Sequence, residues 1–198
     1  MYDFIEGKLA ELTPISATVQ TGGFGYLINI SLNTYTALQA IPDRDKPCKL
    51  YLHHVVREDA QLFYGFMEKQ ERALFRLLIS VSGVGAGTAR MILSSLTGVE
   101  LQKAIAESNA NILKNVKGIG LKTAQRIIVD LKDKIGQAAT SDDQFLASTS
   151  NLKEEALSAL VNLGFTKSSV EKALDKIVAT KPSASVEEII KEALKSGI

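Results

Sequence analysis

Hydrophobic and polar positions change their period near residue 66, and this change predicts two kinds of structure. Before it, residues alternate in short runs rich in aliphatic, Thr and Tyr side chains, which is typical of β-strands. Turn signals at Thr13-Pro14, Gly22-Gly23 and Pro42-Asp43 separate the runs. The five runs are IEGKLAEL, SATVQT, GYLINIS, CKLYLHHVV and AQLFYGF. Residues 1–66 are therefore expected to form a five-stranded barrel of the OB type, with a short helix at LNTYTALQA.

Beyond residue 66 the apolar positions recur with helical period. Leu74, Leu77, Leu78 and Val81 share one predicted helix face, and glycines divide residues 67–136 into short helices. Residues 137–150 are rich in Ser, Thr, Ala and Asp, which is a linker composition. Residues 151–198 return to helical period and predict a small three-helix, UBA-like bundle. The fold class expected from these textures is multidomain α+β.

One phrase occurs twice in the helical segment. VSGVGAGTARMIL begins at Val81 and VKGIGLKTAQRII begins at Val116, an offset of 35 residues, and six of the thirteen positions are identical. Each copy places Gly-aliphatic-Gly directly before a predicted helix. We interpret the pair as a duplicated helix-hairpin-helix unit.

This motif is suited to holding phosphate. Glycine permits unusual backbone angles and close approach, the central aliphatic residue can pack between helices, and the free amides of a helix N-terminus attract anions. Such contacts reach the nucleic-acid backbone and not base edges, so binding should be independent of sequence and sensitive to salt. The first copy has Ala86-Gly87 where the second has Leu121-Lys122, so it should carry less charge. The predicted phosphate-binding residues are Gly83, Val84, Gly85, Thr88, Arg90, Gly118, Ile119, Gly120, Lys122, Thr123 and Arg126.

Charge is unevenly distributed along the 198 residues, although the net charge is only +1. Residues 1–66 carry 5 basic and 7 acidic side chains, and residues 137–198 carry 7 basic and 9 acidic, so each segment has a net charge of −2. Residues 67–136 carry 11 basic and 6 acidic side chains, a net charge of +5. The basic excess therefore coincides with both copies of the repeat, which favours a polyanionic partner there.

The sequence lacks the signals of several classes of function. There is no apolar run long enough for a membrane span and no signal-peptide pattern, and the single Cys48 fits a reducing cytoplasm. The only Gly-Lys pair, Gly7-Lys8, is followed by Leu9, so no ATP-binding phosphate loop is present. His53 and His54 should point to opposite faces of a strand and are expected to be structural. We expect no metal, no cofactor and no catalytic constellation.

The segments VREDAQLFYGF, KQERALF, VSGVG and VKGIGLKTAQRIIVDLKDK resemble the RuvA family of Holliday-junction branch-migration proteins. The resemblance covers nearly the whole chain and includes the order of the segments. It implies a homotetramer that holds a four-way DNA junction open in a square planar form, with two tetramers able to enclose the junction as an octamer. It further implies recruitment of the hexameric ATPase RuvB, which alone uses ATP, and the resolvase RuvC as a protein that works on the same junction.

The resemblance also assigns roles outside the hairpins. Glu58 and Asp59 match the family's acidic pin, which would repel phosphates at the crossover, and Arg57 beside them would limit that repulsion or contact DNA. Leu160, Leu163 and Phe165 match the family's motor-binding surface. Read from the residues alone, Glu58 and Asp59 are more typical of an ordinary hairpin turn, and Leu163 and Phe165 fit a core helix end capped by Gly164 as well as they fit a surface.

Two other functions compete with this interpretation. A helix-hairpin-helix DNA glycosylase or lyase could use Lys122 and Asp130, but the duplicated hairpin and the lack of a second large helical lobe disfavour it. A general single-strand-binding OB protein would need exposed aromatic residues for base stacking, and the net acidic barrel segment disfavours that. The aromatic candidates are Phe24, Tyr26, Tyr35 and Tyr51.

Overall fold

A computed structural model describes residues 2–41, 47–142, 150–181 and 184–196. It divides into two compact units, residues 1–139 and 140–198. In the described part of the first unit the strands are β1 (Phe4–Thr13), β2 (Ser16–Thr21), β3 (Phe24–Ile30), β4 (Cys48–Val56) and β5 (Gln61–Phe66). The helices of the chain are α1 (Leu32–Gln39), α2 (Lys69–Ile79), α3 (Ala86–Ser95), α4 (Gly98–Ala106), α5 (Ala110–Lys114), α6 (Leu121–Asp142), α7 (Ser150–Asn162), α8 (Lys167–Thr180) and α9 (Val186–Lys195).

The strands close into a barrel in the order β1-β2-β3-β5-β4, which confirms the predicted OB-type architecture. All neighbours pair antiparallel except β3 and β5, which pair parallel. Val19, Ile28 and Leu50 fill the barrel interior, as the alternating pattern requires. The predicted short helix is present as α1, whose Ser31 side chain caps its N-terminus by accepting from the Thr34 amide. The turn predicted at Pro42-Asp43 lies outside the described residues.

The barrel and the hairpin segment pack as one unit. Phe75 on α2 lies 5.0 Å from the ring centroids of Tyr64 and Phe66 on β5, so these three rings join the two segments. Buried Arg72 forms an ion pair with Asp3, with 2.6 Å between Nη1 and the carboxylate oxygen, and donates to the Leu52 carbonyl. Residues 1–66 and residues 67–136, which differ in hydrophobic period, therefore pack against each other through a shared hydrophobic core.

The barrel strands also fix the places of the cysteine and of the two histidines, which lie on opposite faces as predicted. Cys48 lies in the barrel core, where burial raises the pKa of its thiol. The imidazoles of His53 and His54 lie on opposite faces of β4: His53 packs against Phe75 and His54 stacks on Phe63. Burial also lowers the pKa of His53. These contacts account for both histidines as packing residues.

The segment predicted as a linker differs from the expectation in its first part. Helix α6 continues through residues 137–142, because Gln137, Ala138 and Ala139 extend the helix with good helix formers and no proline interrupts it. Residues 143–149 lie outside the described residues, and Ser150 already belongs to α7. That residues 137–150 serve as a linker between the two units stays a prediction.

The second unit is a three-helix bundle formed by α7, α8 and α9. Its core includes Val170 and Leu174 of α8 together with Ile189 and Ala193 of α9, at the spacing of the predicted helical period. Ser185 caps α9 through a capping box with Glu188. The small core of mostly medium-sized side chains gives this unit limited apolar burial.

Candidate nucleic-acid interface

The two Gly-aliphatic-Gly phrases fold into the same turn. In the first, the Val84 amide donates to the Val81 carbonyl at 3.0 Å, and Gly83 has φ of +90°. In the second, the Ile119 amide donates to the Val116 carbonyl at 3.0 Å, and the preceding glycine has φ of +87°. An i to i+3 bond with a positive φ at i+2 is the type II pattern, which favours glycine at that position.

The aliphatic residue of each turn is buried as predicted. Val84 and Ile119 are each only 5% exposed, and both belong to the hydrophobic cluster that also holds α2, α3 and α6. Because these side chains face inward, the glycine backbone on either side of each one faces outward. Both turns are thus anchored to one core and held in a fixed relation to each other.

Each turn leads directly into a helix N-terminus. The first helical bonds run from Ala89 to the Gly85 carbonyl and from Ala124 to the Gly120 carbonyl, both at 2.9 Å. The three amides before each of these donors have no partner one helical turn earlier, and they carry the positive end of the helix dipole. The turn itself is less open than predicted, since the Val84 and Ile119 amides are used within it.

Neither the backbone angles nor the surrounding space requires glycine at the second glycine of each motif. Gly85 has φ of −84° and ψ of 169°, which any residue adopts, and Gly120 is not among the positive-φ glycines. A Cβ built on either residue would meet no atom within 4 Å. Glycine at these positions instead leaves the adjacent amides uncovered, which suits a phosphate oxygen that must approach the backbone closely.

Side chains add charge mainly at the second turn. Lys117, Lys122 and Arg126 are exposed around Gly118 and Gly120. The Arg126 guanidinium also donates to the Ser82 carbonyl at 3.5 Å, so it reaches from α6 to the first turn. Thr88 and Thr123 are half-buried at the third position of α3 and α6, within the first turn of each helix.

Two basic residues differ from the predicted set. Arg90 was expected beside the first phosphate site, but its guanidinium donates to the Ile15 carbonyl at 3.0 Å and to the Asn29 side chain at 3.4 Å. Arg90 therefore links α3 to the barrel, because its long side chain reaches from the helix to these two barrel residues. The predicted set leaves out Lys117, although its position beside Gly118 in the basic segment could have indicated it.

The predicted pin forms the turn between β4 and β5. Glu58 and Asp59 are exposed at its tip, and the Arg57 amide closes it by donating to the Ala60 carbonyl at 2.8 Å. A two-residue tip held by strand pairing on both sides presents the carboxylates at a defined place. Arg57 is exposed beside them.

The predicted motor-binding residues of the second unit separate into core and surface. Leu160 is fully buried in the bundle core, so its assignment to a partner-binding surface is corrected. Leu163 is 62% exposed, and Phe165 packs partly against the core. The reason is the helix end: Gly164 has φ of +100°, and the Phe165 amide donates to the Leu160 carbonyl. This Schellman-type ending turns Leu163 outward and returns Phe165 to the core.

Within residues 2–41, 47–142, 150–181 and 184–196, no group of His, Cys, Asp and Glu is arranged to hold a metal ion. No helix in that part of the chain is long and apolar enough to cross a membrane.

Comparison with known protein families agrees with this geometry. The family described as "RuvA N terminal domain" matches residues 1–65, "SAM-like Helix-hairpin-helix tandem" matches residues 75–133, and "RuvA, C-terminal domain" matches residues 151–196. The three matches cover the barrel, both hairpins and the bundle in the predicted order.

Similar full-length proteins carry the same description. A protein of Bacteroides fragilis is 51% identical, one of Christiangramia forsetii 47% and one of Porphyromonas gingivalis 45%. Each alignment covers 98% of this chain and 99% of the relative. All three relatives are named "Holliday junction branch migration complex subunit RuvA". With a barrel, two matching hairpins and a C-terminal bundle aligned over nearly its full length, this chain belongs to the RuvA family.

Proposed function

We propose that this protein binds four-way DNA junctions through their phosphates, without reading sequence, and holds them open for branch migration in recombination and repair. The observation that carries the proposal is the pair of turns on one core with matching hydrogen bonds and φ angles, each followed by a glycine whose added Cβ would meet no atom of the chain. Two such turns at a fixed separation suit a nucleic-acid backbone, in which phosphates repeat, better than they suit a single anion. The relatives' name supports the junction as the target.

The junction's four arms call for four copies of the interface. A homotetramer would present about eight hairpins, and neutralising about eight phosphates gives a slope near −7 in a plot of log affinity against log salt. A second tetramer on the opposite face would enclose the junction as an octamer. The exposed Glu58 and Asp59 would lie at the centre, where their charge disfavours phosphates and favours strand separation.

ATP-driven movement is assigned to a partner. The chain has no ATP-binding phosphate loop, so we propose that the hexameric ATPase RuvB supplies the work and docks on the second unit. The exposed Leu163 is the residue of the predicted set best placed to meet it. RuvC would act on the same open junction, and the single buried thiol suits a cytoplasmic setting.

A gel-shift titration of a four-way junction against linear duplex of matched sequence, at several salt concentrations, tests the proposal. We expect strong junction preference that weakens with salt and does not change with sequence. Equal affinity for both DNAs would contradict it, and cleavage of a damaged or abasic duplex would favour the glycosylase alternative.

The pin is tested by changing Glu58→Gln and Asp59→Asn together. Removing the charges should preserve or tighten junction binding and alter the rate of branch migration with the motor, because the repulsion at the crossover is lost. Sedimentation and a strand-exchange assay measure assembly and rate. Loss of the tetramer would show instead that the two carboxylates are structural.

A further inference from the structure

The mouth of the barrel contains a cleft that the hairpin interface does not use. Its volume is about 300 Å³, at the lower end of the range for small-molecule sites. Aromatic side chains of Tyr2, Tyr26 and Phe63 form much of the wall, and Glu6 and Thr21 are its polar members. A cleft of this size suits one planar group and not a folded chain segment.

The aromatic rings leave space for stacking. Tyr2 meets Phe63 edge-on, with 5.4 Å between ring centroids and an interplanar angle of 82°, and Tyr26 meets it at 6.3 Å and 72°. In an edge-on pair the ring that supplies the edge keeps its own faces free of its partner, so a planar guest can lie against such a face. Tyr2 is 53% exposed and thus reachable from solvent. His54 stacks behind Phe63 at 4.6 Å and stiffens that wall.

Opposite charges at the cleft favour a nucleotide over a purely apolar ligand. The Lys49 ammonium lies 4.0 Å from the centroid of Phe4, which lines the cleft, and Lys49 is the cross-strand partner of Glu6. A cation at the rim can meet a phosphate, while an acidic side chain in the wall can accept from the amino group of a base. An apolar peptide would use neither group.

The cleft is also close to the predicted pin. Phe63 pairs with His54, two pairs along the β4–β5 ladder from Val56 and Gln61, and the pin turn follows directly. Phe63 is three residues from Ala60, which corresponds to about 10 Å along a strand. An unpaired base released near the pin would therefore be within reach of the cleft.

We propose that the cleft between Tyr2, Tyr26 and Phe63 takes up one unpaired nucleobase next to the junction crossover, with Glu6 accepting from the base and Lys49 meeting its phosphate. This inference rests on the proposed function, since it needs the pin to lie at the crossover. It adds a base-stacking contact to binding that otherwise uses phosphates alone. The barrel would then capture a separated base while the pin keeps the strands apart.

Two junctions test this: one intact and one with abasic sites at the crossover nucleotides, which keep the phosphates and remove the bases. Tyr2→Ala should weaken binding to the intact junction about tenfold, as expected for loss of one base stack, and leave binding to the abasic junction unchanged. Glu6→Gln is a second variant that should show the same dependence on the base with a smaller effect. Phe24→Ala is the matched control, because Phe24 is 70% exposed on the same barrel and does not line the cleft.

The outcomes separate the two proposals. If Tyr2→Ala and Glu6→Gln affect both junctions equally, or neither, the base cleft is refuted while the wild-type preference for junctions can still stand. If the wild type shows no preference for junctions, the proposed function fails first. If Tyr2→Ala changes the oligomeric mass in light scattering, the cleft is filled by a second copy of the chain, and base capture is overturned.

Discussion

Replacing Gly85 and Gly120 with alanine together should leave the protein folded and weaken junction binding at least tenfold. Neither position has a backbone angle reserved for glycine, and a Cβ at either one meets nothing within the chain. The added methyl groups would project beside the free amides of α3 and α6. They therefore act on an approaching phosphate and not on the packing of the protein.

The expected stability change is small because two effects oppose each other. Restricting the unfolded chain by a Gly→Ala change stabilises a protein by about 0.4 to 1 kcal/mol where the native angles suit alanine. Gly85 is also the N-cap of α3, and alanine is a poorer N-cap residue than glycine, by up to about 1 kcal/mol. The two contributions to the free energy of unfolding therefore nearly cancel. At Gly83 and Gly118, with φ of +90° and +87°, alanine should instead cost about 1 to 2 kcal/mol each.

The expected affinity change follows from the lost amide contacts. A hydrogen bond to a charged group contributes about 1.5 to 3 kcal/mol, and about 1.4 kcal/mol corresponds to a tenfold change in affinity. Blocking one phosphate oxygen at each hairpin should thus lower junction affinity at least tenfold. The change should be largest at low salt, where phosphate contacts dominate binding.

Thermal unfolding and a junction titration of the same preparation provide the assay. Gly25→Ala is the control, because Gly25 is an exposed glycine on the barrel whose added Cβ would touch only Thr18, at an ordinary 3.4 Å. It should raise the stability by about 0.4 to 1 kcal/mol, as any Gly→Ala change with suitable angles does, and leave the junction affinity unchanged. A Gly85→Ala, Gly120→Ala variant that unfolds and binds junctions as the wild type does would refute the assignment of these turns to phosphate.

Three further changes test other parts of the chain. Gly87→Lys gives the first hairpin the charge that Lys122 gives the second. The slope of log affinity against log salt should then steepen by about 0.9 for each added phosphate contact. An unchanged slope would contradict the equivalence of the two hairpins. Leu163→Ala should leave the melting temperature unchanged and reduce capture of RuvB in a pull-down, whereas Leu160→Ala, in the core, should cost about 2 to 5 kcal/mol. Burial raises the pKa of Glu71 above its ordinary 4.5, so the folded chain holds that proton more tightly than the unfolded chain and stability declines as pH rises through the folded-state pKa. Glu71→Gln should remove this decline in urea unfolding between pH 4 and 7, and an identical pH profile would contradict the assignment.

Much of the architecture follows from periodicity and turn chemistry, which act within a few residues. Alternation identified the barrel strands, and a repeat at an offset of 35 residues identified both hairpins. The burial of Val84 and Ile119 was predictable, because an aliphatic side chain between two exposed glycines is expected to pack into the core. The C-cap role of Gly164 was also accessible, since glycine commonly ends helices in this way.

Side-chain partners that come from distant parts of the chain were not predictable in the same way. Arg90 looked like a phosphate ligand because its neighbours are hairpin residues, yet its nearest acceptors are Ile15 and Asn29 on the barrel. A linker was predicted from residue 137, whereas α6 ends at Asp142. Amino-acid composition indicates solubility and turn preference, but a helix continues for as long as its residues tolerate it.

The amino-acid sequence by itself determined the order of the segments, the two hairpins and the location of the basic excess, because each depends on local pattern or composition. Only the tertiary structure decided which chemically similar residues are available to a partner. Leu160 and Leu163 differ by three positions and have the same side chain, but the turn at Gly164 leaves one in the core and the other exposed. The cleft between Tyr2, Tyr26 and Phe63 likewise exists only because barrel closure brings the start of β1 and the residues before it close to β3 and β5.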